Sequence, residues 1–464
     1  MSMDRQSWAE GHFGGTELGD KRRTRRLVQM AKQLAAVPGG TITGVFRDWA
    51  QIKASYRLLD NEAVTHAAVC AESFEQVQRA CRSPGVYLLI EDTTVASFPG
   101  REDAVGLGPV GEAYTRGFWL HSTLAVRWHY HAEDPYDDQL QLIGLAGQSV
   151  WVRDPKQSRR REKKAARLKR PDRESARWGK ALVAGGGPGV GGAQWIYVAD
   201  RESDIYEAFA GCRQCGSNFV VRASHDRALA EMDQQYLHEA LATAAPPLGC
   251  RTIELPAGKG RPARSASLEI RAMEVQCRAP YRPGKTLAHL KVNVVEVREI
   301  AAPSQADAVH WILLTDLPIA TSLEVWKVVA IYRRRWLIEE FHKALKSGVG
   351  LEKSQLTEVR KLMALAGILS IVACFLVGLK LLARSKDAPP LDAAEVGHEA
   401  CVVLEKKVGK PKEGWTYQSL LVAIAKLGGY IGRRSDGPPG WLTIWRGWQR
   451  LLLLVEGFRL AADG

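Results

Sequence analysis

Two short apolar segments constrain the fold of this chain more than any other feature of its sequence. Residues 86–90 read Val-Tyr-Leu-Leu-Ile, residues 195–199 read Trp-Ile-Tyr-Val-Ala, and acidic residues follow both. Uninterrupted apolar runs of this length are typical of strands buried on both faces of a sheet. A lone acid after a strand is commonly a turn residue. The pair is more specific, because adjacent strand ends would bring Asp92 and Asp200 to the same rim of one sheet.

A charged segment at residues 330–347 supplies further candidate site residues. It reads as one helix, with a capping box at Thr321–Glu324 and glycines at positions 348 and 350 to end it. Steps of three or four residues predict that one face carries Tyr332, Arg335, Glu339, Lys343 and Lys346. One carboxylate, one phenol and three cations suit a site that holds a metal ion beside a phosphate. The alternative is a solvated face with charge pairs such as Arg335–Glu339.

A site with three carboxylates needs a cation. Three carboxylates within a few ångström repel one another and raise each other's pKa values, and a divalent cation removes that repulsion. Oxygen ligands suit Mg²⁺. The predicted catalytic and metal-binding residues are therefore Asp92, Asp200 and Glu339, for two Mg²⁺ ions, with Mn²⁺ able to substitute. Two such ions can activate an attacking oxygen and stabilise the leaving one.

The charge balance predicts a polyanionic partner. The 464 residues include 64 Lys and Arg against 51 Asp and Glu, a net charge of +13. Such a balance favours nucleic acid or an anionic surface. Clusters of the excess lie at residues 21–26, 159–170 and 333–335. The cluster at 159–170 is either a flexible arm on DNA or a solvated linker.

Cysteine usage and hydropathy predict a cytoplasmic protein without a membrane partner. Eight cysteines are scattered along the chain, and the single CxxC, Cys212–Cys215, has no second pair to complete a zinc site. Residues 362–379 are uncharged and at the lower length limit for a membrane span. They have no aromatic belt, which favours a buried core helix. No apolar run follows the first residues, so we expect no signal peptide.

Shifts of pattern along the chain predict several segments. Strand-rich residues 69–222 and 311–388 enclose residues 223–310, where prolines and glycines punctuate alternating stretches typical of an antiparallel β module. Residues 389–464 are helical after a Pro-Pro pair. Their tryptophans at 441, 445 and 448 form a stripe that is either core or a surface pairing two subunits.

Residues 1–68 read as a small helical module. Asp20 can cap a helix that runs to about Ala36. The core face of this helix is predicted to consist of Leu27, Met30, Ala31 and Leu34, and another face to carry Arg22, Arg23 and Arg26. Basic short helices suit phosphate contact, although a solvated basic face is equally compatible with the pattern.

At these residues the chain resembles the DDE transposases of the insertion-sequence-four family, and most closely those of the transposon-five type. The spacing Tyr332-x2-Arg335-x3-Glu339-x6-Lys346 matches the family's Y-R-E-K signature in full. Residues 90–94 and 200–204 resemble its two aspartate motifs. The similarity continues in order over nearly the whole chain, including segments 18–27, 115–122, 219–222, 311–315, 425–429 and 441–458.

The resemblance implies an α/β fold with a ribonuclease-H-like mixed-sheet catalytic core. An antiparallel β module is inserted before the Glu339 helix, an N-terminal helical domain binds DNA ends, and a C-terminal helical domain dimerises. Asp92, Asp200 and Glu339 would be the metal-binding triad. The transposon-end backbone would be gripped by Tyr332, Arg335, Lys343, Lys346 and Arg222, and the end-binding helix would carry Arg22, Arg23 and Arg26. Trp311 would stack on a flipped base, its alternative being a core tryptophan in a strand.

The implied activity is cut-and-paste DNA transposition by a homodimer in a synaptic complex. Water attacks the scissile phosphate, the freed 3′-OH forms a hairpin, water reopens it, and the 3′-OH joins target DNA. The partners are double-stranded DNA, as transposon end repeats and as target, and a second subunit. The implied location is the bacterial cytoplasm, on the nucleoid during action. Two rivals are a non-catalytic DNA-binding protein, which needs no carboxylate triad, and a hydrolytic nuclease, which needs neither Trp311 nor a pairing tail.

Overall fold

The computed structural model describes residues 5–46, 48–111, 115–154, 178, 185–230, 236–255, 262–284, 286–303, 308–385, 391, 397–433 and 436–462. Within them, the N-terminal helices are α1 (Arg5–Phe13), α2 (Lys21–Ala36), α3 (Ile42–Val45), α4 (Trp49–Asp60) and α5 (His66–Ala80). The later helices are α6 (Tyr206–Gln214), α7 (Leu237–Ala244), α8 (Ser322–Tyr332), α9 (Trp336–Lys343), α10 (Val359–Leu382), α11 (His398–Val408), α12 (Tyr417–Leu427) and α13 (Trp441–Ala462).

One continuous mixed sheet organises the structure. Its strands are β1 (Gly85–Ser97), β2 (Gly108–Pro109), β3 (Arg116–Tyr130), β4 (Asp138–Trp151), β5 (Ala193–Ala199), β6 (Asn218–Arg222), β7 (Pro247–Leu255), β8 (Arg264–Cys277), β9 (Leu290–Ile300) and β10 (His310–Thr315). The catalytic half has the order β4-β3-β1-β5-β6, in which β1, β5 and β6 are parallel and β3 is antiparallel to both of its neighbours. The predicted fold class, a mixed-sheet α/β core with an inserted antiparallel module, is confirmed.

The inserted β module continues the core sheet without a break. Strands β7 to β10 pair antiparallel in the order β10-β9-β8-β7, and β10 pairs antiparallel with β6. The register at this junction sets Leu313 opposite Arg222. The module therefore shares backbone hydrogen bonds with the catalytic core instead of hanging from a flexible linker.

Strand β1 is longer than its apolar run predicts. We expected Asp92 just past the end of a short strand, but β3 pairs with β1 as far as Ser97↔Gly117, so Asp92 lies inside the strand. The reason is that the residues after Asp92 include β-branched Thr93, Thr94 and Val95, which favour extended structure. Pairing between β1 and β5, in contrast, ends at Glu91↔Ala199. Asp92 and Asp200 are thus the next residues on two neighbouring strands, and their predicted proximity follows from this register.

Apolar side chains pack on both faces of the sheet. Along β1, Leu88 and Ile90 belong to one core, while Tyr87 and Leu89 belong to the core on the opposite face, as expected from the alternation of side chains in a strand. Helix α10 runs through the first core, and 89% of its most apolar window is buried. By length and composition alone this helix could cross a membrane, but it is a core helix here, as predicted.

The N-terminal helix α2 forms as its sequence predicts. The Asp20 side chain accepts a hydrogen bond from the Arg22 N–H at 2.8 Å and caps the helix. The four predicted core residues of this helix, Leu27, Met30, Ala31 and Leu34, are all buried.

The C-terminal tryptophan stripe faces the interior of its own chain. Trp441 and Trp445 are buried and stack with ring centroids 5.8 Å apart. Trp448 donates its indole N–H to the carbonyl of Ala36 at 3.2 Å. Trp441 and Trp445 are therefore core residues, as the first alternative predicts, whereas Trp448 is half-buried, and the pairing of two subunits through this stripe stays a prediction. The exposed leucines of α13 are Leu442, Leu453 and Leu460.

Helices α12 and α13 cross at a contact that requires glycine. A Cβ on Gly447 would lie 1.6 Å from the carbonyl oxygen of Ile424, and a Cβ on Gly428 would lie 1.8 Å from the carbonyl oxygen of Thr443. Both distances are far below any allowed contact. The two helix backbones therefore touch because neither residue has a side chain at the crossing.

We predict that Gly447→Ala separates α12 from α13 and lowers the thermal unfolding midpoint of the chain. The matched control is Gly457→Ala on the same helix, where nothing lies within 4 Å of the added Cβ. There the higher helix propensity of alanine should stabilise the helix by about 0.8–1 kcal/mol. Differential scanning calorimetry distinguishes the two variants, and equal effects would contradict the contact.

Candidate active site

The two aspartates form the centre of the site. Asp92 accepts a hydrogen bond from the Thr93 N–H at 2.8 Å, and Asp200 accepts one from the Glu202 N–H at 2.8 Å, which caps a short 3-10 turn. Burial, and next the charge of Asp200, raise the pKa of Asp92 to about 6. Two repelling carboxylates in a partly buried place are the arrangement that a divalent cation relieves.

The charged helix follows the predicted path but is not uniform. The capping box of Thr321 and Glu324 is present at the start of α8. A 3-10 turn, Arg333–Arg335, separates α8 from α9, and a π-helical turn, Ala344–Gly348, follows α9. The prediction of a single regular helix is therefore wrong. These turns change the rotation per residue along the segment.

Four of the predicted residues gather beside the aspartates. The charge of Arg335 lowers the pKa of Asp92, which places the guanidinium near that carboxylate. The Tyr332 hydroxyl shares a hydrogen bond with Arg222 and interacts electrostatically with Asp200. The Trp311 ring meets the Tyr332 ring edge-on, with centroids 5.1 Å apart. Trp311 lies in strand β10, half-buried, so one part of its ring is packed and another accessible.

The signature lysine Lys346 and the additional predicted DNA-contact residue Lys343 differ in position. Burial lowers the pKa of Lys346, while Glu352 and Asp92 act to raise it, so this ammonium lies within electrostatic reach of Asp92. Lys343 is exposed, and its Nζ lies 3.9 Å from Glu340 Oε1. The structure therefore brings Lys346 into the site and leaves Lys343 at its outer side.

Glu339 is bound by Arg335 one turn earlier on the same helix. The two side chains form an ion pair, and the glutamate side chain remains 45% exposed. Among the described residues, no group of three His, Cys, Asp or Glu side chains has metal-ligating geometry. Asp92 and Asp200, both oxygen donors with strong mutual repulsion, nevertheless fit a hard divalent cation.

The neighbouring arginines have a structural role. Arg334 forms an ion pair with Asp138 of β4, whose side chain is 1% exposed, and Arg333 lies 3.6 Å from the same carboxylate. Asp138 also accepts the indole N–H of Trp128 at 2.6 Å. Of the cluster at 333–335, only Arg335 extends toward the aspartates. The sequence gives no local signal of this division, because the partner lies 196 positions away.

The β module is also tied to this helix. Arg251 of β7 pairs with Asp134 at 2.9 Å through both guanidinium nitrogens. The guanidiniums of Arg251 and Arg333 both lie over the Tyr136 ring, 4.2 and 4.3 Å from its centroid. Strand β7, the outermost strand of the module, is thus linked through the Tyr136 ring to the 3-10 turn that precedes α9.

His342 is a site residue that the sequence reasoning missed. Its Nδ1 lies 3.9 Å from Asp92 Oδ2. Burial lowers the pKa of His342 to about 3, so the imidazole is neutral. Its position three residues after Glu339 is a helical spacing that would have identified it.

The predicted DNA-end residues of α2 are only partly free to contact a ligand. Arg22 is exposed, whereas Arg23 donates to the carbonyl of Leu18 and Arg26 donates to Gln51, both at 2.7 Å. Arg25, which the sequence reasoning missed, is exposed on the same helix. The basic run at 159–170 lies outside the described residues.

Comparison with protein families assigns this architecture to a class. Residues 5–64 match the transposase DNA-binding family, and residues 194–375 match the transposase DDE domain. With Asp92 and Asp200 at one rim of a mixed sheet, these matches support a DDE transposase. The DDE domain implies dependence on a divalent metal ion.

A third match narrows the class. Residues 377–463 match the transposase Tn5 dimerisation domain, so the three matches in order support a DDE transposase of the Tn5 type. The first and third domains support DNA binding and homodimer formation. The matched DDE range contains Asp200 and Glu339 but begins after Asp92, whose place in the site rests on the β1–β5 register.

We predict that Asp138→Ala lowers the free energy of unfolding by about 3–5 kcal/mol, because it leaves the Arg334 guanidinium buried without a counter-ion. The neighbouring Asp137 is a matched control, since its exposed carboxylate pairs only loosely with His131 at 3.6 Å. Asp137→Ala should leave stability nearly unchanged. Urea denaturation followed by circular dichroism measures both variants, and a small loss for Asp138→Ala would show that the buried pair does not anchor the helix.

Proposed function

We propose that the protein is a cut-and-paste DNA transposase of the insertion-sequence-four family. It binds the end repeats of its element as a homodimer, cleaves them through a hairpin intermediate and joins the 3′ ends to target DNA. The observation that carries this proposal is the register that makes Asp92 and Asp200 neighbours beside Arg335 and Lys346. Carboxylates and cations at one rim suit metal-dependent phosphoryl transfer. We place this activity in the bacterial cytoplasm, on the nucleoid.

In the proposed mechanism, Asp92, Asp200 and Glu339 would hold two Mg²⁺ ions, for which Mn²⁺ can substitute. When bound, such ions activate the attacking oxygen and stabilise the leaving oxygen. Arg335 forms an ion pair with Glu339, and a DNA phosphate would compete for this guanidinium and free the glutamate. Neutral His342 adds no charge next to Asp92. The three carboxylates and Arg335 would therefore act by placing charge at fixed positions.

The remaining polar side chains would hold the DNA backbone. Arg222 and the Tyr332 hydroxyl can both donate to one phosphate oxygen, since they already share a hydrogen bond. Lys346 contributes positive charge from the partly buried side and Lys343 from the exposed side. The accessible part of Trp311 beside Tyr332 is suited to stacking on a flipped base, an interaction of about 1–3 kcal/mol. Arg22, Arg23 and Arg26 would contact the end repeat.

We predict that Asp92→Ala, Asp200→Ala and Glu339→Ala each retain binding to end DNA but lose Mg²⁺-dependent nicking by about 10³-fold. The reason is that loss of a metal ligand removes several kcal/mol of transition-state stabilisation, and each 1.4 kcal/mol is a factor of ten. The substrate is a duplex carrying the terminal inverted repeat that flanks the gene. Asp137→Ala is the control and should nick normally.

The outcomes separate the rival functions. Nicking that persists in Asp92→Ala or Glu339→Ala would show that the site is assigned wrongly. End binding by the wild-type protein without nicking would favour a non-catalytic DNA-binding protein. Nicking without hairpin formation and strand transfer would favour a hydrolytic nuclease.

The basic run at residues 159–170 carries a separate prediction. If it contacts target or flanking DNA, replacement of its lysines and arginines by glutamine should flatten the dependence of DNA affinity on salt. Each lost phosphate contact reduces the slope of log K against log[salt] by about 0.9. Fluorescence anisotropy across a salt series measures the slope, and an unchanged slope would identify the run as a solvated linker.

A further inference from the structure

Glu340, the residue after Glu339, accepts hydrogen bonds from two groups outside its own turn. Lys380 of α10 donates to Glu340 Oε2 at 2.6 Å, and the indole N–H of Trp441 donates to the same oxygen at 2.8 Å. The Lys380 ammonium also lies 4.4 Å from the centre of the Trp441 ring. These contacts join the catalytic helix, the core helix and the first residue of α13.

This cluster is buried and fully paired. The Lys380 side chain is 7% exposed and that of Glu340 is 17% exposed. Separating the two members of a buried charge pair leaves uncompensated charge and is costly. Lys380 and Glu340 are therefore held together.

The position of Glu340 controls where Glu339 points. Successive residues of an α-helix differ by about 100° around the axis, so a fixed Glu340 fixes the direction of the Glu339 side chain. Helix α9 has only eight residues between a 3-10 turn and a π turn. Its rotation is set by its buried face, which contains Leu337, Ile338 and Phe341, and by contacts near its two ends. These contacts are Arg334 with Asp138 at one end and Glu340 with Lys380 and Trp441 at the other.

We propose that Glu340 is a positioning residue for the Glu339 carboxylate and that its contacts with Lys380 and Trp441 make this placement depend on the docking of the C-terminal domain. The inference rests on the proposed function, in which Glu339 is a metal ligand. Trp441 opens the last helix of the matched dimerisation domain. The state of that domain is therefore transmitted to the metal site through one carboxylate.

The decisive variant is the double substitution Glu340→Leu with Lys380→Met, which removes both charges and the oxygen that accepts the Trp441 N–H. Replacing both members of a buried ion pair is often neutral for stability, whereas removing one is not. The double variant is expected to keep its thermal midpoint and its affinity for end DNA. It should bind Mn²⁺ about 10–100-fold more weakly in calorimetry of the protein–DNA complex, and nick more slowly, as is typical when a group that orients a metal ligand is lost.

A structural role alone would give a different result. In that case the double variant, if its stability equals that of the wild-type protein, would also show wild-type Mn²⁺ affinity and nicking. This outcome would overturn the inference. Arg459→Gln is the matched control, because the Arg459–Glu399 pair joins α13 to α11 within the C-terminal domain, near the opposite end of α13 from Trp441. It should leave Mn²⁺ affinity unchanged.

A second variant covers misfolding of the double variant. Trp441→Phe keeps an aromatic ring near Lys380 but removes the N–H that Glu340 accepts. It should weaken Mn²⁺ binding without changing DNA-end affinity, and wild-type Mn²⁺ affinity in this variant would also overturn the inference. If the wild-type protein itself does not nick end DNA, that result would instead contradict the proposed function.

Discussion

Electrostatic repulsion between Asp92 and Asp200 is the constraint on which the site depends. The parallel β1–β5 ladder ends one residue before each of them, so the register of the two strands keeps the two residues close together. Their repulsion is moderated by cations from the catalytic helix, Arg335 and Lys346. Helix α9 and its flanking turns must therefore keep a fixed distance from the sheet and a fixed rotation about the helix axis. Much of the remaining structure, from Asp138 to Trp441, supplies the contacts that hold it there.

Two networks of ion pairs hold α9 and its flanking turns from different sides. Asp138 of the sheet binds Arg333 and Arg334 at its beginning, and Lys380 of the core helix binds Glu340 near its end. The ends also differ in pitch, since a 3-10 turn tightens one and a π turn loosens the other. These ion pairs, together with the buried side chains of Leu337, Ile338 and Phe341, define the orientation of α9.

The sequence predicted the elements that depend on local pattern. The apolar runs at 86–90 and 195–199 identify buried strands because burial on both faces leaves no polar positions. The cap at Asp20 and the capping box at Thr321 are similarly local. From these, the proximity of Asp92 and Asp200 and the cationic character of the site could be inferred before any coordinates were known.

What the sequence could not predict depends on distant partners. Arg334, in the 3-10 turn between α8 and α9, binds Asp138, which lies 196 positions away. Trp448 of the tryptophan stripe donates to the carbonyl of Ala36, which lies 412 positions away. No spacing rule contains either contact. The pairing of Glu339 with Arg335, in contrast, joins residues four positions apart, and the sequence predicted it as an alternative to metal binding.

The central place of α10 has a consequence for synthesis of the chain. This helix, residues 359–382, packs against α2, α5 and β4, all of which are made much earlier. A nascent chain that has not yet emerged past residue 382 therefore exposes the apolar surfaces that α10 later covers. Folding of the catalytic core is complete only late in translation, and the unfinished chain needs protection from aggregation until then.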